Sequence, residues 1–204
     1  MLVAELNHRV KNILAIVRSV ASQTTANSSS LTVFKSAFDG RLRALALAHD
    51  ILTRQRWADT RLSHLLAETL APYRGLGGNR VVTAGPEVLL PTQIVVPLAM
   101  ALHELTTNAV KYGALSTNTG RLEVNWTLVE DAGLPCVMIT WAEVGGPPVA
   151  VRAPSGFGTK LVSRLSSYDL DGNAHLDFKP GGLTCTLRFP ISGRRNLLVS
   201  AGAS

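Results

Sequence analysis

A chain of 204 residues, 46% of them apolar, can bury one large core or two small ones. It has no run near the ~20 unbroken apolar residues of a membrane span, no basic-then-apolar secretory pattern at its start, and no Cys/His set at metal-ligand spacing. A net charge of +6 suits an acidic partner or phosphate groups, but no basic block interleaved with aromatics is present, so nucleic acid is not an expected partner. Cys136 and Cys185 each sit in an apolar, strand-like run and read as reduced core thiols, which places the chain in the cytoplasm.

Residues 1–25 read as a helix. Leu2, Leu6, Val10, Ile13, Val17 and Val20 recur at steps of three and four and form a coiled-coil-like seam. His8 lies nearly opposite that seam, with Glu5, Asn12 and Ser19 on its side. Residues 26–30 are a turn, and residues 31–56 a second helix with Phe34, Phe38, Leu42, Leu45 and Leu52 on one stripe. A short turn makes the two helices antiparallel neighbours. Their long apolar seam calls for a second hairpin, from another subunit or another part of the protein, to cover it.

A polar shift at residues 57–60 marks a domain boundary, with Asp59 or Thr60 as cap of a third helix ending near Tyr73. Residues 75–79 are a glycine-rich loop, and 80–84 and 88–90 short strands. Residues 91–115 form one long helix opening at Pro91. Its Ile94, Leu98, Leu102, Leu105 and Ala109 make an apolar stripe, while Glu104, Asn108 and Lys111 recur at the same steps on another face. A carboxylate, a carboxamide and an ammonium converging on a rigid support can serve a hard cation and phosphates; spacing alone fits a solvated charged face equally well. Residues 121–129 and 135–141 are strands joined by a hairpin at 130–133. Residues 143–156 are a Gly/Pro-rich loop, 157–167 a helix, 172–177 and 182–189 paired strands, and 192–204 a loose tail. The fold expected is α+β: a hairpin over residues 1–57, then a domain over 58–191 with a mixed or antiparallel sheet.

Four segments carry a resemblance. LNHRVKN (6–12) resembles the phosphoacceptor box of the HWE histidine kinases. HELTTNAVKYGAL (103–115) resembles their N box, TrpAlaGlu (141–143) their W-x-E signature, and GlyPheGlyThrLysLeu (156–161) their last glycine box. The four occur in the family's order and span nearly the whole chain. The resemblance implies a Bergerat-type ATP-binding domain, a mixed sheet covered by helices on one face, behind a dimerisation and phosphotransfer hairpin. It makes His8 the phosphoacceptor, Asn108 the ligand of ATP-bound Mg²⁺ with Glu104 beside it, and Lys111 a phosphate partner. Glu143 then accepts from the adenine amine, with Gly145 close to the base. Gly156, Gly158, Thr159 and Lys160 receive phosphate oxygens at a helix start. An imidazole titrating near ~6.5 suits a nucleophilic acceptor.

One departure from the larger histidine-kinase families concerns the base. Arg9, not an acid, follows His8, and Glu5 one turn earlier is an available substitute. No separate Phe box is evident, and the HWE pattern also lacks one. His49, His64 and His175 read as structural or exposed, and His103 as either a support for the nucleotide site or plain packing. The implied activity is that of a two-component sensor histidine kinase core, using ATP and Mg²⁺ and passing the phosphoryl group to a response-regulator aspartate. A homodimer through the hairpin is expected, with a monomer open. The alternative is a non-catalytic phosphotransfer or scaffolding adaptor of the same fold.

Overall fold

A computed structural model describes residues 2–74, 80–148 and 172–191, with side chains from residue 10 onward, Asn12 excepted. Helices α1 (Leu2–Ala26) and α2 (Leu31–Arg54) form the expected hairpin. Ser30 caps α2 by accepting from the Val33 amide, because its extended backbone aims the hydroxyl at the first turn. At its other end α2 closes in a Schellman arrangement: Trp57 N–H donates to Leu52 O at 2.7 Å and Arg56 N–H to Thr53 O at 3.0 Å. Arg56 (φ 50°) and Trp57 (φ 61°) both take left-handed backbone there, where a glycine would be the ordinary choice.

The chain then makes β1 (Thr60–Arg61), α3 (Leu62–Arg74), β2 (Val81–Ala84), β3 (Leu89–Leu90), α4 (Thr92–Lys111), a 3₁₀ turn (Ala114–Ser116), β4 (Arg121–Asp131), β5 (Leu134–Val144), β6 (Asn173–Lys179) and β7 (Gly182–Pro190). Strands β1 and β3 pair in a small antiparallel sheet. The main sheet has five strands in the order β2-β4-β5-β7-β6, with β2 parallel to β4 and the rest antiparallel. This is the mixed α+β arrangement expected. One sheet face, carrying Leu122, Val124, Trp126, Val137, Ile139, Trp141, Cys185, Leu187 and Phe189, shares a core with α3 and α4.

Four expectations change. Thr60 and Arg61 form an edge pairing with β3 rather than a helix cap, because Leu62 N–H is taken by Val88 O. The long helix ends at Lys111: Tyr112 and Gly113 turn back onto Asn108 O, and a 3₁₀ turn follows. The buried stripe of α2 is Arg41, Ala44, Leu45, Ala48, Ile51 and Leu52, so Phe34, Phe38 and Leu42 lie beside it, the two phenyl rings stacked at 5.4 Å. Within the chain helix α4 covers that stripe, and Val20, Leu45, Ile51 and Leu52 belong to the same core as the sheet. Ala44 and Ala48 explain the choice, since small side chains let a helix come close where Phe34 and Phe38 would hold it off. On α1, Val20 of the expected seam is buried, whereas Val10 of that seam stays exposed, as does Leu14 outside it. The loop at 75–79, the helix at 157–167 and the tail at 192–204 lie outside the described residues.

Because Leu52 is shared by hairpin and sheet domain, Leu52→Ala should lower the unfolding free energy of the whole chain by about 2–5 kcal/mol. Leu31→Ala, at a side chain 81% exposed, should change it by under about 0.5 kcal/mol. Denaturant titrations followed by far-UV dichroism check both.

Candidate functional site

Two buried carboxylates organise the region around the end of α4. Glu143 closes β5 and is 6% exposed. Strand periodicity puts Trp141 and Glu143 on one face, so the Trp141 indole Nε1–H donates to Glu143 Oε1 at 3.3 Å. The Ala114 amide donates to Oε2 at 2.8 Å. Burial raises the Glu143 pKa, and those two hydrogen bonds oppose the rise. The W-x-E spacing therefore has a local physical reason: the tryptophan satisfies one oxygen of the glutamate and the loop after α4 the other.

Three glycines make this fit possible. A Cβ on Gly113 would lie 1.7 Å from Glu143 Oε2, and one on Gly146 would lie 2.8 Å from the Ala114 backbone. Gly182 (φ 139°) passes directly over the Glu143 carbonyl, where a Cβ would sit 2.0 Å away. Gly145 differs from them: a Cβ there would meet only ordinary contacts, and its need for glycine is its φ of 71°. Arg80 clamps the same loop from below, donating Nε–H to Gly120 O at 2.8 Å and Nη2 to Ala114 O at 3.3 Å and to Thr117 O. Nothing in the sequence pattern marked Arg80 or Gly113 as part of this frame.

Glu104 is the second carboxylate, 5% exposed in the middle of α4. It accepts from Arg41 Nε at 2.7 Å and Nη2 at 3.2 Å, a bidentate pair with the hairpin. Arg41 Nη1 donates to Thr24 Oγ1 at 2.9 Å, and the Thr24 hydroxyl donates to Val20 O at 2.6 Å. Three helices are thereby tied by one charged network. The sequence placed Glu104, Asn108 and Lys111 on one face; in the fold Glu104 turns to α2, Asn108 is half-buried one turn on, and Lys111 is exposed. Arg41 and Thr24 gave no sign in the sequence, because an arginine and a threonine within amphipathic helices look like ordinary surface residues.

His103 packs against α2 where Gly40 leaves room, its Nε2 3.1 Å from the position of a Gly40 Cβ. Desolvation first, then the charges of Arg41, Lys111 and Arg43, lower its pKa from 6.5 to about 4. It is a neutral imidazole at the domain junction. His49 lies edge-on to Trp57, ring centroids 5.8 Å apart, and is structural as expected. His8 is part of α1. Gly156, Gly158, Thr159 and Lys160 lie outside the described residues.

Among the described residues no group of three or more His, Cys, Asp or Glu could hold a metal ion. That donor set fits Mg²⁺ only as an ion carried largely by phosphate oxygens and water, with a single amide oxygen such as that of Asn108 from the protein. Lys111, exposed one turn beyond, fits a phosphate partner.

A helical hairpin set against a mixed five-stranded sheet, with a half-buried Asn late in the central helix, is the organisation of a histidine kinase core. Residues 5–87 match the HWE histidine kinase family. Blue-light-activated histidine kinases of Brucella anthropi and Brucella ovis are each 37% identical over 188 residues, 92% of this chain and 38% of theirs. The chain thus spans under half the length of those curated relatives. Among solved structures, a blue-light activated histidine kinase of Erythrobacter litoralis superposes with a TM-score of 0.69 at 16% identity, over 94% of this chain and 62% of that one. Its isolated histidine kinase domain gives 0.63 at 18% identity, over 96% and 94%. The chain belongs to the HWE histidine kinase family and has the fold of a histidine kinase core.

Gly113→Ala should cost about 1–3 kcal/mol, since the new methyl must displace the Glu143 carboxylate. Gly181→Ala, with nothing within 4 Å, should be close to neutral; thermal unfolding of the two variants separates them. His103 makes a pH prediction. Its folded-state value lies below 6.5, so as the pH falls below about 6.5 the unfolded chain takes up the proton first. Stability should decline by about 3 kcal/mol in all down to about pH 4. His103→Gln should flatten that limb in denaturant midpoints taken across the range.

Proposed function

We propose that this chain is the catalytic core of a two-component histidine kinase. In this reading it uses ATP with Mg²⁺ to phosphorylate His8, then passes the phosphoryl group to an aspartate of a response-regulator receiver domain. The observation that carries it is the frame around Glu143: a buried carboxylate, fixed by Trp141 and Ala114, at the end of the strand that borders the N-box loop. Each oxygen accepts one N–H and keeps a lone pair, so the group can also accept from an exocyclic amine. Guanine presents a carbonyl at that position and would face an unpaired carboxylate.

The remaining roles follow from chemistry and position. Asn108 supplies an amide oxygen to the cation carried by the phosphates, and Lys111 neutralises phosphate charge. Gly156, Gly158, Thr159 and Lys160 offer donors at the glycine box. The imidazole Nε2 of His8 takes the γ-phosphoryl group as ADP leaves, a step that depends on positioning and electrostatics more than on covalent help. Glu104 stands beside the reacting groups once they meet. The hairpin (1–57) is the phosphotransfer unit and a dimerisation surface, residues 58–191 are the ATP-binding unit, and 192–204 is a tail.

A second reading, a non-catalytic phosphotransfer adaptor, draws on one observation: both oxygens of Glu104 are engaged by Arg41. Incubation with γ-labelled ATP and Mg²⁺ separates the two. The kinase reading expects acid-labile, base-stable label that His8→Gln abolishes and Asn108→Ala reduces at least tenfold, the latter through lost Mg²⁺-dependent ATP binding. Absent or acid-stable label would favour the adaptor.

A further inference from the structure

The arrangement of hairpin and sheet domain keeps the two ends of the proposed reaction apart. Helix α4 runs antiparallel to α2: Thr92 Oγ1 donates to Trp57 O at 3.2 Å at one end, and Glu104 meets Arg41 farther along. Asn108 is one turn farther still, toward the hairpin turn. Through Arg41, Glu104 is also linked to Thr24, near the turn end of α1. His8 is sixteen residues up the same helix, about 24 Å along its axis at 1.5 Å per residue. A second copy packed side by side with its hairpin parallel would bring its own His8 to the same height, so dimerisation of that kind does not close the gap. At the same time Glu104 is turned to α2 and committed to the Arg41 guanidinium, so a reacting imidazole would have to compete with a buried cation for it.

From this we infer that the Thr24–Arg41–Glu104 network is a latch that fixes a resting register of α4 on the hairpin, and that it opens before His8 is phosphorylated. The inference rests on the kinase reading for its consequence, though not for the latch itself. Two features of the contact make such a change physically reasonable. The apolar part, built on Ala44 and Ala48, has no directional bonds and tolerates one helix sliding or rolling along the other. The charged part is directional and specifies one register. The junction at Arg56 and Trp57, both in left-handed backbone, is where the rotation would be absorbed. Opening also frees Glu104 beside the nucleotide, so one event would align the acceptor and release the carboxylate.

The test uses spin labels on Ser19→Cys and Thr127→Cys, both exposed, since Cys136 and Cys185 are buried. Pulsed dipolar spectroscopy of the whole chain without nucleotide should give one narrow distance. Arg41→Met should broaden it or add a second distance. Thr24→Val should do so more weakly, and it keeps the ion pair and the side-chain shape should Arg41→Met fail to fold. Initial rates of His8 labelling should rise about three- to tenfold in Thr24→Val at unchanged KM for ATP, as expected for losing one ordinary intramolecular hydrogen bond. A narrow, unshifted distance in both variants overturns the latch, whether or not the chain labels. A broadened distance with an unchanged or lowered labelling rate overturns the resting-state role. A broadened distance with no label even in the wild type supports the latch and removes the kinase reading instead.

Discussion

A carboxylate in the middle of a buried helix must be neutralised, and in this chain the demand falls on Glu104. Desolvating it without a partner would cost several kcal/mol, and in the α4 core a cation meets it. That cation is Arg41, on the hairpin. The position of α4 against α2 follows, and with it the shared core that reaches from Val20 and Leu45 to Trp141 and Phe189. Arginine suits the task because its planar fork meets both carboxylate oxygens and still has a hydrogen for Thr24. Such a pair is weak evidence of stability and better evidence of a specified register, which is how it functions in the latch proposed above.

Glu143 solves the same physical problem in another way. Among the described residues it has no cation; it is held by two neutral N–H donors, and burial raises its pKa. A carboxylate so held is fixed in direction while keeping acceptor capacity, the property needed to read a base edge. The cost appears in the surroundings, where Gly113, Gly146 and Gly182 have given up side chains to admit it. The two carboxylates thus divide the domain: one sets its relation to the hairpin, the other shapes the loop beyond the N box.

Much of this was legible in the residues. The periods of 3.6 and 2 located both hairpin helices, the central helix and the strand pairs, since burial on one face is what those periods encode. The N box, W-x-E and phosphoacceptor segments were visible as strings of residue types. What periodicity could not supply was partnership. Phe34, Phe38 and Leu42 form as good a stripe as Ala44, Ala48 and Ile51 on paper; only the closeness of α4 chooses between them. Arg41, Thr24 and Arg80 act across tens of residues in sequence, and an isolated cation or hydroxyl carries no mark of its distant acceptor. Glu104 was singled out from its spacing with Asn108, but its orientation toward α2 depends on Arg41 and could not be read from α4 alone.

The central claim is that a nucleotide base docks against the Glu143 frame. The most direct measurement is a ¹H–¹⁵N spectrum of the indole region, where the chain has three tryptophans and so three signals. Trp141 Nε1–H is bonded to Glu143, whereas Trp126 Nε1–H is bonded to Pro86 O across the sheet. Titration with Mg²⁺ and a non-hydrolysable ATP analogue should shift the Trp141 indole signal and the Ala114 amide together, leave Trp126 in place, and give a much smaller response with the GTP analogue. Saturable ATP binding with the Trp141 and Ala114 signals unmoved, or equal shifts from both nucleotides, would contradict the account.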